Sequence, residues 1–361
     1  MLKEKKAKLR VLTYSEAIRE AIDQSLEKDE NLIVIGEGVP DPKSIFGTTS
    51  ELKIKYGDNR IFDMPLSENG FTGFSIGAAL NGIKVLVIHQ RIDFSILSLD
   101  QIINNAAKWH YMFNGQKSVG IVIRLIIGRG WGQGPQHSQN LQALFAHIPG
   151  LKVIAPATPA DAKGMMISSI NDPNPVIFIE NRWLHHIEDH VPENYYETSL
   201  SQSNIVKEGK DLTIVTSSLA LIESIKASQE LEKYNVSIEI IDLRSIKPID
   251  YVLIGESIKK TGKLLVVDHA WRFCGVSAEI ISTISETYFE FLDTPPARLT
   301  FADHPIPTSS YISDFCYPDA LEISLEITKI LKKNVYDNNI RKNFYNDMPK
   351  DVPDRSFNGP F

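Results

Sequence analysis

The first half of the chain alternates short, mostly apolar runs with segments whose apolar residues recur at helical spacing. Thr13 and Glu16 have the spacing of a capping box and precede an apolar face that contains Ile18, Ile22 and Leu26. The apolar runs lie at 32–35, 84–88, 120–123 and 175–179. Continuous rather than alternating hydrophobicity favours parallel strands that are covered on both faces. The pattern therefore predicts a doubly wound α/β domain.

A second series of the same kind follows. Its predicted strands lie at 212–215, 236–241 and 264–267, with predicted helices near 219–233 and 276–288. The polar stretch between the two series, from about 180 to 210, is typical of an interdomain linker. We therefore predict an α/β fold of two doubly wound domains, residues 1–199 and 200–333, followed by a polar tail at 334–361. Five aromatic residues in that tail leave two interpretations open: disorder, or an arm that docks on a neighbouring subunit.

Composition narrows the classes of function. A chain of 361 residues with 43% hydrophobic content is long enough for two cores, and a net charge of −7 argues against nucleic-acid binding. Cys274 and Cys316 lack any CxxC context and are typical of reduced thiols in a cytosolic protein. The charged start of the chain argues against a secretory signal, and the lack of an apolar run of about 18 residues argues against a membrane-spanning helix. We expect a cytoplasmic location.

Four segments carry a specific resemblance. They are PLSENGFTGFSIGAAL at 65–80, DFSILSLDQIINNAAKWHYMFNGQ at 93–116, QHSQNLQALFAHIPGLKVIAPATPADAKG at 136–164 and DPNPVIFIE at 172–180. In this order the chain resembles the beta subunit of thiamine-diphosphate-dependent 2-oxoacid dehydrogenases, the E1 component of pyruvate, branched-chain and acetoin dehydrogenase complexes. The likeness runs from about Thr13 to about Lys333. It implies a transketolase-like pyrimidine-binding domain followed by a transketolase C-terminal domain.

The resemblance implies a cofactor pocket for thiamine diphosphate. Glu68 matches the glutamate that hydrogen-bonds N1′ of the aminopyrimidine ring and so promotes the imino tautomer that deprotonates C2. Phe94 matches the aromatic residue on which that ring stacks, and Glu37 and Leu66 match positions that line the same pocket. The structural alternatives are a helix-capping glutamate at Glu68, a core phenylalanine at Phe94, and at Glu37 a strand-end carboxylate that satisfies a nearby group.

His137 matches the family histidine that faces the reacting carbon. An imidazole there can guide a substrate carboxylate or carbonyl and can serve acyl transfer to a lipoyl group. The alternative is a histidine that fixes its own loop.

The resemblance also implies a structural potassium site. Its ligands would come from one loop, with a contribution from a neighbouring strand. The matching positions are Ile121, Ser169, Ile170, Asp172 and Asn174. An Asp-Pro-Asn turn that needs no ion is the alternative.

One family feature is missing. Thiamine enzymes hold the diphosphate and its divalent metal with a Gly-Asp-Gly motif, and this chain has none. The resemblance therefore implies a separate alpha subunit that binds the diphosphate and Mg²⁺, in an α2β2 heterotetramer. Docking of a lipoyl acyltransferase, the E2 component, stays open because the C-terminal domain departs from the family pattern at 268–271.

The chain also departs from the family near the predicted active site. His89, Arg91 and Arg129 add positive or switchable charge, which would suit a substrate with an additional anionic or polar group. Surface placement of all three is the alternative.

The resemblance implies an oxidoreductase subunit that decarboxylates a 2-oxoacid and passes the acyl unit to lipoamide. Two other functions are weighed against it: a split transketolase-like carboligase that passes the activated aldehyde to another carbonyl, and a non-catalytic assembly subunit. The presence of Glu68, Phe94 and His137 argues against the last.

Overall fold

The protein is described by a computed structural model that covers residues 10–41, 44–128, 132–333, 337–344 and 350. The strands of its first part are β1 Val11–Thr13, β2 Leu32–Gly36, β3 Ile61–Asp63, β4 Lys84–His89, β5 Ile121–Ile127, β6 Lys152–Ile154, β7 Val176–Asn181 and β8 Glu188–His190. The helices of this part are α1 Tyr14–Lys28, α2 Leu52–Tyr56, α3 Glu68–Leu80, α4 Ala107–Met112, α5 Gln142–Ala146 and α6 Pro159–Asn171. A 3-10 turn at Phe94–Ser98 and a π-helical turn at Gln101–Ala106 precede α4.

The second part has the same alternation. Its strands are β9 Asn204–Lys207, β10 Leu212–Thr216, β11 Ile238–Asp242, β12 Ser245–Lys247, β13 Leu264–Trp271 and β14 Ala297–Phe301. Its helices are α7 Leu219–Glu232, α8 Tyr251–Thr261, α9 Val276–Thr287, α10 Ser310–Ser313, α11 Ala320–Ile330 and α12 Asp337–Asn343.

The two large sheets are mainly parallel. The first has the order β12-β6-β7-β5-β4-β2-β3, and only β12 runs antiparallel to its neighbour. The second has the order β14-β13-β10-β11-β9, with β9 antiparallel. Strands β4, β5 and β7 are almost wholly buried because helices cover both faces of the sheet. The predicted α/β class with parallel sheets is confirmed, and β12 joins the two parts because it adds to the first sheet from the second half of the chain.

Helix α1 begins where the sequence predicts. Thr13 accepts a hydrogen bond from the Glu16 backbone N–H at 3.2 Å, and the Glu16 carboxylate accepts one from the Thr13 N–H at 2.8 Å. This reciprocal capping satisfies two backbone donors that a helix start leaves open. The apolar face of α1, which includes Ile18, Ile22 and Leu26, is fully buried.

The predicted linker is wrong at its start. Residues from Glu180 to His185 continue β7 and then form a buried turn. Further along, β8 pairs with β1 in a two-stranded antiparallel sheet. The polar residues here are buried because they have partners from distant segments, such as Arg124 for Glu180.

Part of the tail packs on its own chain. Ile340 in α12 is fully buried, and Phe344 packs against the core of the second sheet. The Asn343 side chain donates to the Glu230 carboxylate at 2.7 Å. Disorder therefore does not describe 337–344. Docking of the tail on a neighbouring subunit stays a prediction, and the other four tail aromatics, Tyr336, Tyr345, Phe357 and Phe361, lie outside the described residues. No helix within the described residues is long and apolar enough to cross a membrane.

Candidate active site

The predicted site residues follow strands that end at one edge of the first sheet. Glu37 follows β2, Glu68 follows β3, Phe94 follows β4 and His137 follows β5. These strands are mutually parallel neighbours, so their carboxyl ends meet at the same edge. Ligands of open α/β sheets bind at this edge.

Two carboxyl groups lie at one end of this edge. Glu68 is the first residue of α3, and the cap position before it is Ser67, whose side chain makes no capping bond. Glu37 follows Gly36, at which a Cβ would collide with the Ile88 carbonyl. Burial first, and then the charge of Glu68, raises the pKa of the Glu37 carboxyl. Its Oε1 is buried and accepts no hydrogen bond from the described residues, so Glu37 can take a donor from a ligand.

Phe94 and His137 lie next along the edge. Their rings meet edge to face with centroids 5.6 Å apart, so the phenylalanine and the imidazole border one space. Both side chains are only partly buried. The backbone carbonyl of His137 accepts a hydrogen bond from the Arg91 guanidinium, which fixes the loop that carries the imidazole.

The structure corrects the prediction for His89, one of the three residues that were expected to add charge near the substrate. His89 and Arg91 are 3% and 5% exposed, so surface placement is wrong for both. Burial lowers the pKa of His89 to about 3, and its ring packs on Phe71 with centroids 5.1 Å apart. His89 is therefore neutral near pH 7 and adds no charge, which corrects the prediction of switchable charge there. Arg129 lies outside the described residues.

Sequence reasoning missed Arg182. It directly follows β7, the neighbour of β5, and is 3% exposed. Its guanidinium donates to Gln133 Oε1 at 3.4 Å, and Arg91 donates to the same oxygen. The rule that places Glu37 and Glu68 at the carboxyl edge also identifies Arg182, but the assignment of its segment to a linker concealed it.

The predicted potassium ligands lie at the opposite edge of the sheet. Ile121 begins β5, while Ser169 and Ile170 lie in the last turn of α6, shortly before β7. Asp172 forms an ion pair with Lys152 and accepts the Asn174 N–H at 2.9 Å. Both carboxylate oxygens of Asp172 thus have partners within the chain, as expected for an Asp-Pro-Asn turn that needs no ion.

Apolar side chains are exposed beside the carboxyl groups. Leu66 is 84% exposed just before α3, and Phe74 on α3 is 52% exposed. A Cβ at Gly77, one turn further along α3, would meet open space. An uncovered apolar face therefore lies beside the acidic end of the site.

Comparisons with known proteins agree with this geometry. Residues 10–186 match the family "Transketolase, pyrimidine binding domain", and residues 201–323 match "Transketolase, C-terminal domain". The chain is 38% identical over 333 residues to the acetoin:2,6-dichlorophenolindophenol oxidoreductase subunit beta of Cupriavidus necator, covering 90% of this chain and 98% of that protein. It is 37% identical over 319 residues to the pyruvate dehydrogenase E1 component subunit beta of Rickettsia felis, covering 88% and 98%. The chain belongs to this family of transketolase-like E1 beta subunits.

A solved structure with a similar fold supports the assignment of the fold of this E1 beta subunit. A split gene transketolase, described as an inactive beta4 tetramer, matches with a TM-score of 0.73 at 19% identity, covering 89% of this chain and 98% of that chain. At this identity the likeness speaks for the fold alone. Glu37, Glu68, Phe94, His137 and Arg182 all lie within the matched pyrimidine-binding region.

Proposed function

We propose that this chain is the beta subunit of a thiamine-diphosphate-dependent 2-oxoacid dehydrogenase E1 component, an oxidoreductase that decarboxylates a 2-oxoacid and transfers the acyl unit to lipoamide. Family membership supports this function. The observation that carries it is the juxtaposition of Glu37 and Glu68 at the carboxyl edge that also bears Phe94 and His137.

The carboxyl groups fit an aminopyrimidine. The ring carries two groups that need hydrogen-bonding partners: a nitrogen that gains a proton, and an amino group. The Oε1 of Glu37 can serve as one of these partners, because it is buried and accepts no hydrogen bond from the described residues. We assign to Glu68 the sharing of a proton with N1′, because it lies close enough to Glu37 to influence its titration. Leu66 and Phe94 supply the apolar surfaces for the ring. When bound, thiamine diphosphate supplies the carbon nucleophile that adds to the 2-oxo group and accepts the electron pair left by decarboxylation.

We assign to His137 a hydrogen bond to the reacting carbonyl or carboxylate and the guidance of the acyl group to its acceptor. The edge-to-face contact with Phe94 holds its ring, and the Arg91 hydrogen bond to its carbonyl holds its loop. Because Phe94 would carry the aminopyrimidine, His137 borders the same space as the bound cofactor.

The chain supplies one half of the site, so we propose an E1 alpha subunit as partner in an α2β2 heterotetramer. The alpha subunit would bring the diphosphate site and Mg²⁺, and the exposed Leu66 and Phe74 would be covered on assembly. A structural K⁺ at 169–174 fits only in part, because Lys152 already neutralises Asp172. Backbone carbonyls would have to provide most of its ligands. Docking of E2 and a cytoplasmic location remain predictions.

The test is Glu68→Gln in the complex with the alpha subunit. Glutamine keeps the shape but cannot take the proton, so we expect exchange of the cofactor C2 proton for deuterium to slow by ~10²–10⁴-fold while assembly is retained. Glu27→Gln, at an exposed position of α1, is the matched control and should exchange as the wild type does. An unchanged rate in Glu68→Gln would remove this residue from the mechanism.

The acceptor is tested separately. The wild-type complex is supplied with a 2-oxoacid and either lipoamide or an aldehyde. Acyl transfer to lipoamide supports the dehydrogenase, whereas carbon–carbon bond formation with the aldehyde alone would favour the carboligase.

A further inference from the structure

The His137 loop, residues 132–141, has little regular structure of its own. It lies between β5, which ends at Ile127, and α5, which begins at Gln142. Gly132 and Gly134 have φ +68° and +67°, a backbone region that favours glycine, and glycine costs more conformational entropy to fix than any other residue. The position of the imidazole must therefore be set by contacts between this loop and other segments.

The first sheet holds one side of the His137 loop. The Arg91 guanidinium donates to the His137 carbonyl. The Gln139 side chain donates to the Asp93 carboxylate at 2.8 Å. Both partners of the loop, Arg91 and Asp93, follow β4 at the carboxyl edge. These contacts tie the loop to the sheet that carries the predicted cofactor residues.

Strand β13 of the second sheet holds the other side. The Asn140 side chain donates to the His269 carbonyl. The Gln142 Nε2 donates to the Asp268 carboxylate at 3.1 Å. All four of these residues are buried, so water competes little for the two hydrogen bonds. The His137 loop is therefore clamped between the two large sheets.

The part of β13 that anchors the loop is itself held in place. The strand lies between β10 and β14 in the second sheet. His269 Nε2 donates to the Pro318 carbonyl at 2.9 Å, and its ring stacks on Phe301 with centroids 5.7 Å apart. The second sheet therefore offers the loop a fixed anchor rather than a mobile one.

Asp268 links the loop to a helix as well as to the strand. Its Oδ1 accepts the hydrogen bond from Gln142, and its Oδ2 accepts the backbone N–H of Ser277, in the first turn of α9, at 3.4 Å. Burial raises the pKa of its carboxyl to about 6, and these two hydrogen bonds oppose the rise. Near pH 7 the group is mainly ionised, and an ionised carboxylate accepts stronger hydrogen bonds than a neutral acceptor does.

We propose that Asp268 is a positioning residue for His137: through Gln142 it sets the place of the His137 loop, so that the second sheet takes part in acyl transfer without touching the reacting atoms. The inference rests on the proposed function, in which His137 guides the acyl group. Gln142 lies five residues after His137. A misplacement of a reacting group by about 1 Å can slow a reaction by about 100-fold, so a break in this link should reach the chemistry.

The expected effect is selective. Glu68, to which we assign the promotion of C2 proton exchange, follows β3, and β3 is three strands away from β5 in the first sheet. Asp268 should therefore influence acyl transfer, which depends on His137, and not C2 proton exchange. A merely structural role would lower both rates together.

The first experiment measures both rates in the complex with the alpha subunit. We expect Asp268→Leu to slow single-turnover acyl transfer to lipoamide by about 10- to 100-fold and to exchange the C2 proton as the wild type does. Asp268→Asn should transfer at nearly the wild-type rate, because an amide can still bond to Gln142, whose Oε1 is buried and accepts no hydrogen bond from the described residues.

Thr213→Val is the matched control. It removes buried hydrogen bonds to Ser257 and Thr261 elsewhere in the second domain. It should lower the melting temperature without slowing acyl transfer. Unchanged transfer in Asp268→Leu, equal slowing of its two rates, or an equal loss of transfer in Asp268→Asn overturns the proposal.

The second experiment asks whether Asp268 acts through His137. Added to His137→Ala, Asp268→Leu should cause no further loss of transfer, because no imidazole is left to position. A further loss of about tenfold or more would contradict the proposal. Gln142→Met should slow transfer as Asp268→Leu does, and it keeps the bond between Asp268 and Ser277. This variant decides the question if Asp268→Leu does not fold.

The third measurement needs neither cofactor nor partner. Backbone hydrogen–deuterium exchange of the full chain is followed by mass spectrometry. We expect peptides that span 136–142 to exchange faster in Asp268→Leu and in Gln142→Met, and at the wild-type rate in Thr213→Val. Wild-type exchange of these peptides in the first two variants would show that Asp268 does not hold the loop.

The two failures can be told apart. If the proposed function is wrong, the wild-type complex neither exchanges the C2 proton nor transfers an acyl group to lipoamide. If only the positioning role is wrong, the wild-type complex does both, and Asp268→Leu keeps the wild-type ratio of the two rates.

Discussion

Removal of one partner from the buried pair Arg124–Glu180 should destabilise the protein more than removal of both. Both side chains are fully buried, and their ion pair joins the neighbouring strands β5 and β7. His185 Nε2 lies 3.6 Å from the same carboxylate. Glu180→Met leaves the Arg124 guanidinium charged and without its carboxylate, which costs about 3–5 kcal/mol of unfolding free energy. Arg124→Met/Glu180→Met removes both charges and fills similar volume, so we expect it to recover most of that loss.

The pH dependence gives an independent check. Burial opposes ionisation of Glu180, but Arg124 and then His185 hold the pKa of its carboxyl below the ordinary value. A depressed folded-state pKa contributes stability that is present above the unfolded value and is lost as the pH falls through the folded value. The deficit of Glu180→Met should therefore be largest near pH 7 and shrink below about pH 4.

The assay is urea unfolding of the wild type, both single variants and the double variant, followed by far-UV circular dichroism. A cost below about 1 kcal/mol for Glu180→Met would refute the reasoning, because an uncompensated buried charge cannot be so cheap. So would a double variant less stable than either single one.

Two further predictions concern titration and turnover. Burial raises the pKa of Asp242 from 3.8 to about 7, which corresponds to a preference of roughly 4 kcal/mol for the neutral acid. That stability is lost as the pH rises from about 4 to 7, so Asp242→Asn should melt like the wild type near pH 4 and at a higher temperature near pH 8. Asp303→Asn, at an exposed position, should show no such pH-dependent gain. His137→Ala should assemble normally and slow acyl transfer in single-turnover assays by ~10²–10⁴-fold, and wild-type rates would exclude His137 from that step.

The long buried strands were predictable from the sequence. The predicted run 84–88 becomes β4 Lys84–His89, and 212–215 becomes β10 Leu212–Thr216. Their position at the centre of a parallel sheet requires side chains that are apolar on both faces, and that requirement is visible in the sequence. The capping box of α1 was predictable for a similar reason, because both partners lie within four residues of each other.

The short and polar elements were not predictable in the same way. Strand β12, of three residues, exists because the edge of β6 offers it a partner about 90 residues away in sequence. The end of β7 and the residues that follow it were assigned to a linker because Glu180 and Arg182 are polar. Their burial depends on Arg124 and Gln133, which the chain brings near only when it folds. A polar run therefore indicates a loop only where no distant charge or amide compensates it.

The exposed apolar face beside the carboxyl groups relates assembly to activity. The acidic end of the site lies beside the exposed Leu66 and Phe74, so in the proposed heterotetramer the alpha subunit completes the site at that end. Glu37 and Glu68 belong to this chain, and so does the buried Oε1 that can take a donor from the aminopyrimidine. Tight binding of the cofactor should therefore require both subunits, and the alpha subunit would govern whether the reaction can begin.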